Sequence, residues 1–489
     1  MILPRYEEVE ELEQNYRYVP VYKELYSDQT TPILVMQKLS LHAKDYYLFE
    51  SAEGNERWGR YSFLGFSPVL KLFGKGGKVF LKKGLKEDAI EQKGDSMQVI
   101  RGLLEEYKAP KLEILPTFSG GLVGYFGYEM IGRMEPKLHL RESDYEEFSV
   151  QLYLQVIAFD HVKQKMYLID HYPSIDQKKG YEKALSRIEN LEALLAETKP
   201  QTAQTKEEES PVFKSNITKE EYLSIVEKTK NYIREGDIFQ GVISRRLEAT
   251  YKSNLMSAYR VLRTTNPSPY MYFIHSGDIE IAGSSPETLV KVIDKEVTIF
   301  PIAGTRPRGI TGAEDERLEQ ELLADEKELA EHNMLVDLAR NDVGRVAAYQ
   351  SVVVEEYLKV HRYSKVMHIT SKVSGKLREG MDGLDALIAS FPAGTLTGAP
   401  KIRACEIIEE LEKDERGIYG GAIGYFDLSG NLDFCIAIRT AVKKEDKVYV
   451  QAGAGIVAES NSELEYEETN HKAAAVIDAI LRAGEVDRI

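Results

Sequence analysis

Cysteine is scarce in this chain of 489 residues: there are two, Cys405 and Cys435, and they form no C-x-x-C pair. That excludes a cysteine zinc site, argues against a disulfide framework, and leaves both as core fillers in a reducing compartment. Long apolar runs are missing too, since no stretch reaches the ~18 consecutive apolar residues that mark a membrane-spanning helix. The opening MILPRYEEVEELEQNYRY is acidic with no apolar centre, so it does not read as a secretory signal; a cytoplasmic protein without a membrane segment is expected. Basic blocks are absent and the formal net charge is -16, which repels phosphate backbones and argues against nucleic-acid binding. A small anion still fits a local positive pocket.

What is present is globular: 43% hydrophobic and 29% charged residues, with length enough for one large core or several. A polar stretch at 196–216 (AETKPQTAQTKEEESPVFKSN) reads as a linker between an N-terminal region, 1–195, and a domain at 217–489. Before it, 149–158 (SVQLYLQVIA) and 165–172 alternate as antiparallel strands, and 181–195 reads as a helix. After it, Thr218 and Glu221 form a capping-box pattern opening a helix that Gly236 closes. Strands are expected at 238–250, 270–275, 280–282 and 296–300, and long helices at 315–349, 380–389, 399–412 and 462–483. The last strands fall at 420–427, 433–442 and 447–458. Periodicity alone gives mixed α and β.

Several patterns carry chemistry. Glu328 and Glu331 lie three apart on one helix, and Glu465 and Glu468 repeat that spacing on another, with Lys472 one turn further on the same face. Two such carboxylate pairs suit a hard divalent cation, Mg2+ over Zn2+, and are equally the look of solvated helix exteriors. FPAGTLTGAPK (391–401) fails the phosphate-loop template, because Pro400 and Ile402 stand where glycine and a hydroxyl are required. It reads as a structural loop or as an anion site at a helix start, with Thr395 and Thr397 favouring the anion. In FCIAIRTAV, alternation puts Arg439 on one face with Cys435, Ala437 and Ala441, beside room for a carboxylate ligand or for an ion pair at a sheet edge. Gly453 and Gly455, inside a strand pattern, mark close approach of a ligand or a bulge.

Taken in order, GSSPET, PIAGTRPRG, ELAEHNMLVDLARND, FPAGTLTGAPK, GIYGGAIGYFD, AIRTAV and AGAGIVAES with EYEETNHKA resemble the motifs of the chorismate-utilising enzymes, and among them the large subunits of anthranilate synthases. The resemblance runs from about Asp45 to the C-terminus. It implies an α/β (α+β) fold, a large sandwich of mainly antiparallel sheets with helices outside, which the N-terminal region joins. It implies Mg2+ ligated by Glu331 and Glu468, supported by Glu328 and Glu465, and holding the ring carboxylate of chorismate. Arg439, Tyr419 and the backbone at Gly453 and Gly455 would meet the enolpyruvyl carboxylate, with Lys472 near the metal. Thr305 and Thr395 match pocket positions, Thr395 among the catalytic groups. Glu287 matches the general acid and His368 a catalytic-site histidine.

Two positions separate this chain from its siblings. Isochorismate-forming relatives carry a lysine where Gln240 stands, and aminodeoxychorismate synthases a lysine in place of Ala303. An amide cannot activate water and a methyl cannot attack carbon, so ammonia is the expected nucleophile and anthranilate with pyruvate the products. Aminodeoxychorismate synthesis and a non-catalytic tryptophan-binding regulator remain the rival readings. LFES (48–51) and NPSPYMYF (266–273) resemble the tryptophan-feedback site, with Phe49 in place of the usual leucine. Glu50 and Ser51 would meet the amino-acid end, and Pro269, Tyr270, Met271 and Tyr425 the indole. Neither cysteine lies in a nucleophile elbow, so glutamine would be hydrolysed by a separate glutamine amidotransferase subunit, anthranilate synthase component II, in a heterotetramer.

Overall fold

The computed structural model describes residues 2–51, 59–84, 89–197, 210–362 and 366–486. Alternating apolar side chains build two large sheets, one of 13 strands and one of 12 among the described residues. Their pairings are antiparallel. Because successive residues point to opposite faces, each strand feeds two cores. In Tyr270–Ser276, Met271 and Phe273 pack outward with Tyr259 and Val476 of flanking helices. Tyr272 and Ile274 turn inward to a core between the sheets that is rich in tyrosine, including Tyr47, Tyr125, Tyr153 and Tyr425. On the far side, Phe434 and Ile436 meet Val336, Val343 and Ile407 of other helices. The expected sandwich with helices outside is what forms.

The N-terminal region shares both sheets with the rest of the chain. Tyr46–Glu50 pairs with Tyr270–Ser276 in one, and Gly121–Phe126 pairs with Ala422–Asp427 in the other. The chain also passes from sheet to sheet at four tight corners. These separate Tyr61–Phe66 from Leu70–Lys75, Phe148–Tyr153 from Gln155–Asp160, Ile279–Ser285 from Thr288–Ile293, and Leu432–Ile436 from Thr440–Lys444.

These corners correct two expectations. The 149–158 and 433–442 segments are each two strands in different sheets, not one. Arg439 lies in the second of these breaks with a left-handed φ of 51°, so it does not stand on a strand face with Cys435. The 315–349 helix is likewise two, Gly312–Ala324 and Glu326–Val346, because Asp325 ends the first and caps the second, accepting from the Lys327 and Glu328 amides. Elsewhere the expected elements form with modest trimming: Lys219–Glu235 opens on the Thr218–Glu221 capping box and ends at Gly236 in the left-handed conformation, and Ser462–Leu481 is a single helix. Of the polar stretch, 198–209 lies outside the described residues, while Lys214–Ser215 adds a short strand to the edge of the larger sheet.

Gly124 and Gly424 face each other across the Gly121–Phe126 and Ala422–Asp427 pair. A Cβ on Gly124 would sit 1.9 Å from the Ser149 carbonyl oxygen, so the strands must part to admit it. Gly344, inside the Glu326–Val346 helix, has open space around it. Gly124→Ala should therefore lower the apparent melting temperature, whereas Gly344→Ala should raise it, by an amount corresponding to roughly 0.5–1 kcal/mol; differential scanning fluorimetry checks both signs.

Candidate active site

The two later corners are tied together by backbone bonds. The Ser284 amide donates to the Arg439 carbonyl at 3.1 Å and the Ile436 amide to the Glu287 carbonyl at 3.0 Å. Ala437 and the Gly420–Gly421 turn exchange two more, both at 2.9 Å. Glu287, Arg439 and Tyr419 are thereby brought to one end of the sandwich, where they open on a cavity of about 550 Å³. The Glu326–Val346 helix presents Glu328 and Glu331 to it, the Ser462–Leu481 helix presents Glu465, Glu468 and Lys472, and Thr305, Thr395, Gly453 and Gly455 complete the expected set. Gln240 and Ala303, the two positions that distinguish sibling chemistries, also face it.

His368 is the exception. It stands behind Thr305, its partner in strand register, with Nδ1 3.0 Å from Thr305 Oγ1 and 2.9 Å from the Gly304 carbonyl oxygen. Burial depresses its pKa, so the ring is neutral near pH 7, and a proton on Nδ1 is donated to Gly304.

Glu287 lines the cavity half-buried, and its carboxyl accepts from the Thr395 hydroxyl at 2.9 Å. Enclosure pushes its pKa up to about 7, against the lowering influence of Thr395 and Lys472. At neutral pH it is therefore poised between acid and base. Arg439 has no ion-pair partner among the described residues; burial lowers its pKa, and Tyr419 stands beside it. An unpaired, half-buried guanidinium at a cavity wall suits an incoming carboxylate. At Gly453 a Cβ would lie 2.8 Å from Tyr419 Oη and 2.9 Å from the Ile243 carbonyl oxygen, and one on Gly455 would displace the end of the Gln240 side chain, whose Nε2 lies 2.6 Å away.

The four helix carboxylates face one space. Burial and then Glu328 raise Glu331, and burial raises Glu465. Arg306 draws Glu328 to 3.4 Å and Lys472 draws Glu468 to 2.6 Å, while Lys472 also donates to the Gly453 carbonyl at 3.0 Å. Among the described residues no three His, Cys, Asp or Glu side chains gather in a ligating cluster. What fits a hard cation is the donor set itself: carboxylate oxygens only, mutually repelling, with no sulfur or imidazole among them.

The 391–401 segment does not form an anion loop. Thr397 is buried on the Ala393 carbonyl, and Lys401 is paired with Asp342 at 3.2 Å. Only Thr395 of its polar side chains reaches the cavity.

A second cavity, of about 300 Å³, lies between the sheets and is lined by Glu50, Ser51, Pro269, Tyr270, Met271 and Tyr425, all six residues expected there. Glu50 is already engaged, by Tyr259 at 2.8 Å and Arg263 at 2.9 Å. The buried Ser51 hydroxyl has no partner among the described residues. Asp433 and Lys291, paired at 2.8 Å, give this wall charges of both signs, and Tyr270 donates to Asp433 at 2.7 Å. Sequence reading missed both, since Asp433 looks like one polar residue in an apolar strand. The Tyr270 hydroxyl also lies 2.9 Å from that of Thr288, the residue after Glu287, so one hydrogen bond links the wall of this cavity to the Glu287 corner.

Residues 44–478 match the profile of the chorismate binding enzymes. Anthranilate synthase component 1 of Acetivibrio thermocellus is 44% identical, the alignment covering 99% of this chain and 100% of that protein. The Aquifex aeolicus protein of the same name is 46% identical over 97% of each. Among solved structures, anthranilate synthase component I from Streptococcus pneumoniae superimposes with a TM-score of 0.78 at 37% identity, covering 87% of this chain and 93% of that one. The menaquinone-specific isochorismate synthase of Escherichia coli, at 19% identity and a TM-score of 0.68, shares the fold. Sequence, fold and the residues gathered at the sheet corners agree: the chain belongs to the chorismate-binding enzymes, in the group formed by anthranilate synthase component 1.

Proposed function

We propose that this chain converts chorismate and ammonia to anthranilate and pyruvate, the entry to tryptophan biosynthesis, with Mg2+ in the larger cavity, feedback by tryptophan in the smaller one, and ammonia supplied by a separate glutamine amidotransferase subunit. The observation that carries the reading is Glu287: a carboxyl pushed up to about 7, held by Thr395, opposite an unpaired Arg439 in one cavity. Arg439, Tyr419 and the backbone at Gly453 and Gly455 receive the enolpyruvyl carboxylate. Mg2+ bound by Glu331 and Glu468, with Glu328 and Glu465 beside them, would supply positive charge to the ring carboxylate.

In the first step the nitrogen of ammonia bonds to ring C2, both ring double bonds shift, from C1=C2 to C6=C1 and from C5=C6 to C4=C5, and the C4–O bond breaks. Glu287 delivers its proton to the departing oxygen, so water leaves instead of hydroxide. In the second, the C2 proton is removed, the C3–O bond breaks, and the enolate released takes up a proton to become pyruvate, leaving an aromatic ring. Neutral His368 orients Thr305 at the wall from behind. Gln240 and Ala303 present no amine to the cavity, which supports ammonia as the nucleophile over water or a covalent lysine adduct.

The smaller cavity matches an aromatic amino acid in kind: phenolic rings around an apolar centre, carboxylate and ammonium groups at its edge, and an unpartnered serine hydroxyl. Its junction with the Glu287 corner through Tyr270 and Thr288 supports coupling between the sites.

The test is anthranilate fluorescence from the chain with chorismate, Mg2+ and ammonium. Product should vanish with EDTA and return with added Mg2+; chorismate consumed without anthranilate would sink the reading. Glu287→Gln should cost about 10²–10⁴-fold in kcat. With free ammonia held constant, kcat should fall as pH rises, because the proton donor is lost, with a midpoint near 7; a pH-independent kcat would remove Glu287 from that role. Ser51→Ala should leave kcat unchanged and raise the inhibitory tryptophan concentration up to about tenfold, the effect of one hydrogen bond, as read from inhibition curves.

A further inference from the structure

The chemistry assigned above leaves unused the most enclosed ion pair among the described residues. Arg416 and Glu412 have side chains 1% and 6% exposed and meet at 2.7 Å. Each of the three guanidinium nitrogens donates. Nε and Nη2 donate to the two Glu412 oxygens at 2.9 and 2.7 Å, Nη2 donates also to the Val242 carbonyl at 2.7 Å, and Nη1 donates to the Leu396 carbonyl at 2.6 Å. Its Cζ lies 4.7 Å from the Tyr128 ring centre and 5.8 Å from that of Tyr419. Glu412 in turn accepts from the amide and hydroxyl of Ser244.

Val242, Leu396 and Tyr419 all line the larger cavity, and Arg416 does not. A pair this deep is a poor source of stability, because desolvation offsets its attraction. Its effect is geometric. Leu396 belongs to Gly394–Thr397, a single helical turn that cannot hold itself in water. Arg416 grips that turn at Leu396, one residue from the Thr395 hydroxyl that donates to Glu287.

We propose that Arg416 is a positioning residue, which through the Leu396 carbonyl fixes the Thr395 hydroxyl against the Glu287 carboxyl. Donation from Thr395 favours the ionised carboxylate, so releasing the turn makes Glu287 hold its proton more tightly. The other charged groups facing Glu287 across the cavity are Lys472, Glu465 and Glu468 from one helix, Lys327, Glu328 and Glu331 from the other, and Arg439 and Tyr419 at the corners; behind Thr395 lies Asp342, paired with Lys401. Of these, Arg416 stacks on Tyr419 alone.

The inference uses the reading of Glu287 as proton donor in its kinetic arm only. In the full chain, the carboxyl band of Glu287, identified by its absence in E287Q, is titrated by infrared difference spectroscopy. Thr395→Val should raise the midpoint by roughly one pH unit, the size one hydrogen bond to a carboxylate carries. Arg416→Lys, whose single ammonium cannot span Glu412, Val242 and Leu396, should raise it by the same amount, and T395V/R416K no further. R416M/E412L, which removes both charges together and so avoids an orphaned carboxylate, should behave as R416K does. A folded Arg416 variant with the parental midpoint, or one whose rise adds to that of T395V, overturns the proposal. The pH limb of anthranilate formation should move in step. If the titration moves and the limb does not, Arg416 positions Thr395 as stated and Glu287 is not the proton donor.

Discussion

Four backbone hydrogen bonds at one end of the sandwich hold the site together. A strand that leaves one sheet for the other abandons its ladder partners, and buried amides and carbonyls do not stay unpaired. Here the orphaned groups at 284–287 and 436–439 satisfy one another and the 420–421 turn. The bonds that repair the sheet switch also set Glu287, Arg439 and Tyr419 side by side, although each comes from a different part of the chain. The helices with the acidic pairs then need only to pack over this end for the cavity to close.

The charges of that cavity are deliberately out of balance. Five carboxyls face three cationic side chains, Lys327, Lys472 and Arg439, and the last of these stands at the strained corner position. Left-handed backbone costs a non-glycine residue of order 1 kcal/mol. The surrounding bonds sustain it, and the return is a guanidinium aimed at the cavity instead of at an ion pair. The smaller cavity is built on the opposite rule, with its charges already matched by Arg263 and Lys291.

How much of this could be read in the sequence depended on whether the signal was local. Helix faces are local: spacings of three and four put Glu328 with Glu331, and Glu465 with Glu468 and Lys472, and all five reach one cavity. Capping is local, and Thr218 with Glu221 and Gly236 behaves as its pattern says. Sheet switching is not. Cys435 and Ala437 keep pointing between the sheets while the chain changes sheet, so alternation runs on without a mark and Arg439 is assigned to a face it does not occupy. Asp325 is hidden among helix formers on both sides, and His368 has the right neighbours but stands behind Thr305. Arg416, just before GIYGG, gives no periodic clue, because its meaning lies in carbonyls of Val242 and Leu396. The gathering of these pieces was legible through the order of the motifs, a family resemblance and not a physical derivation.

The interleaving of the two sheets also governs how the chain must be made. Gly124 finds its cross-strand neighbour at Gly424, and Tyr46–Glu50 waits for Tyr270–Ser276. At ~5–20 residues per second, the Gly121–Phe126 strand leaves the ribosome about 15–60 s before its partner exists. For that interval apolar strands with open hydrogen-bonding edges are exposed, the condition under which chains pair with one another. Folding speed at the ribosome is thus traded for a site whose walls come from distant segments, and the yield of active protein is set by how well those early edges are shielded.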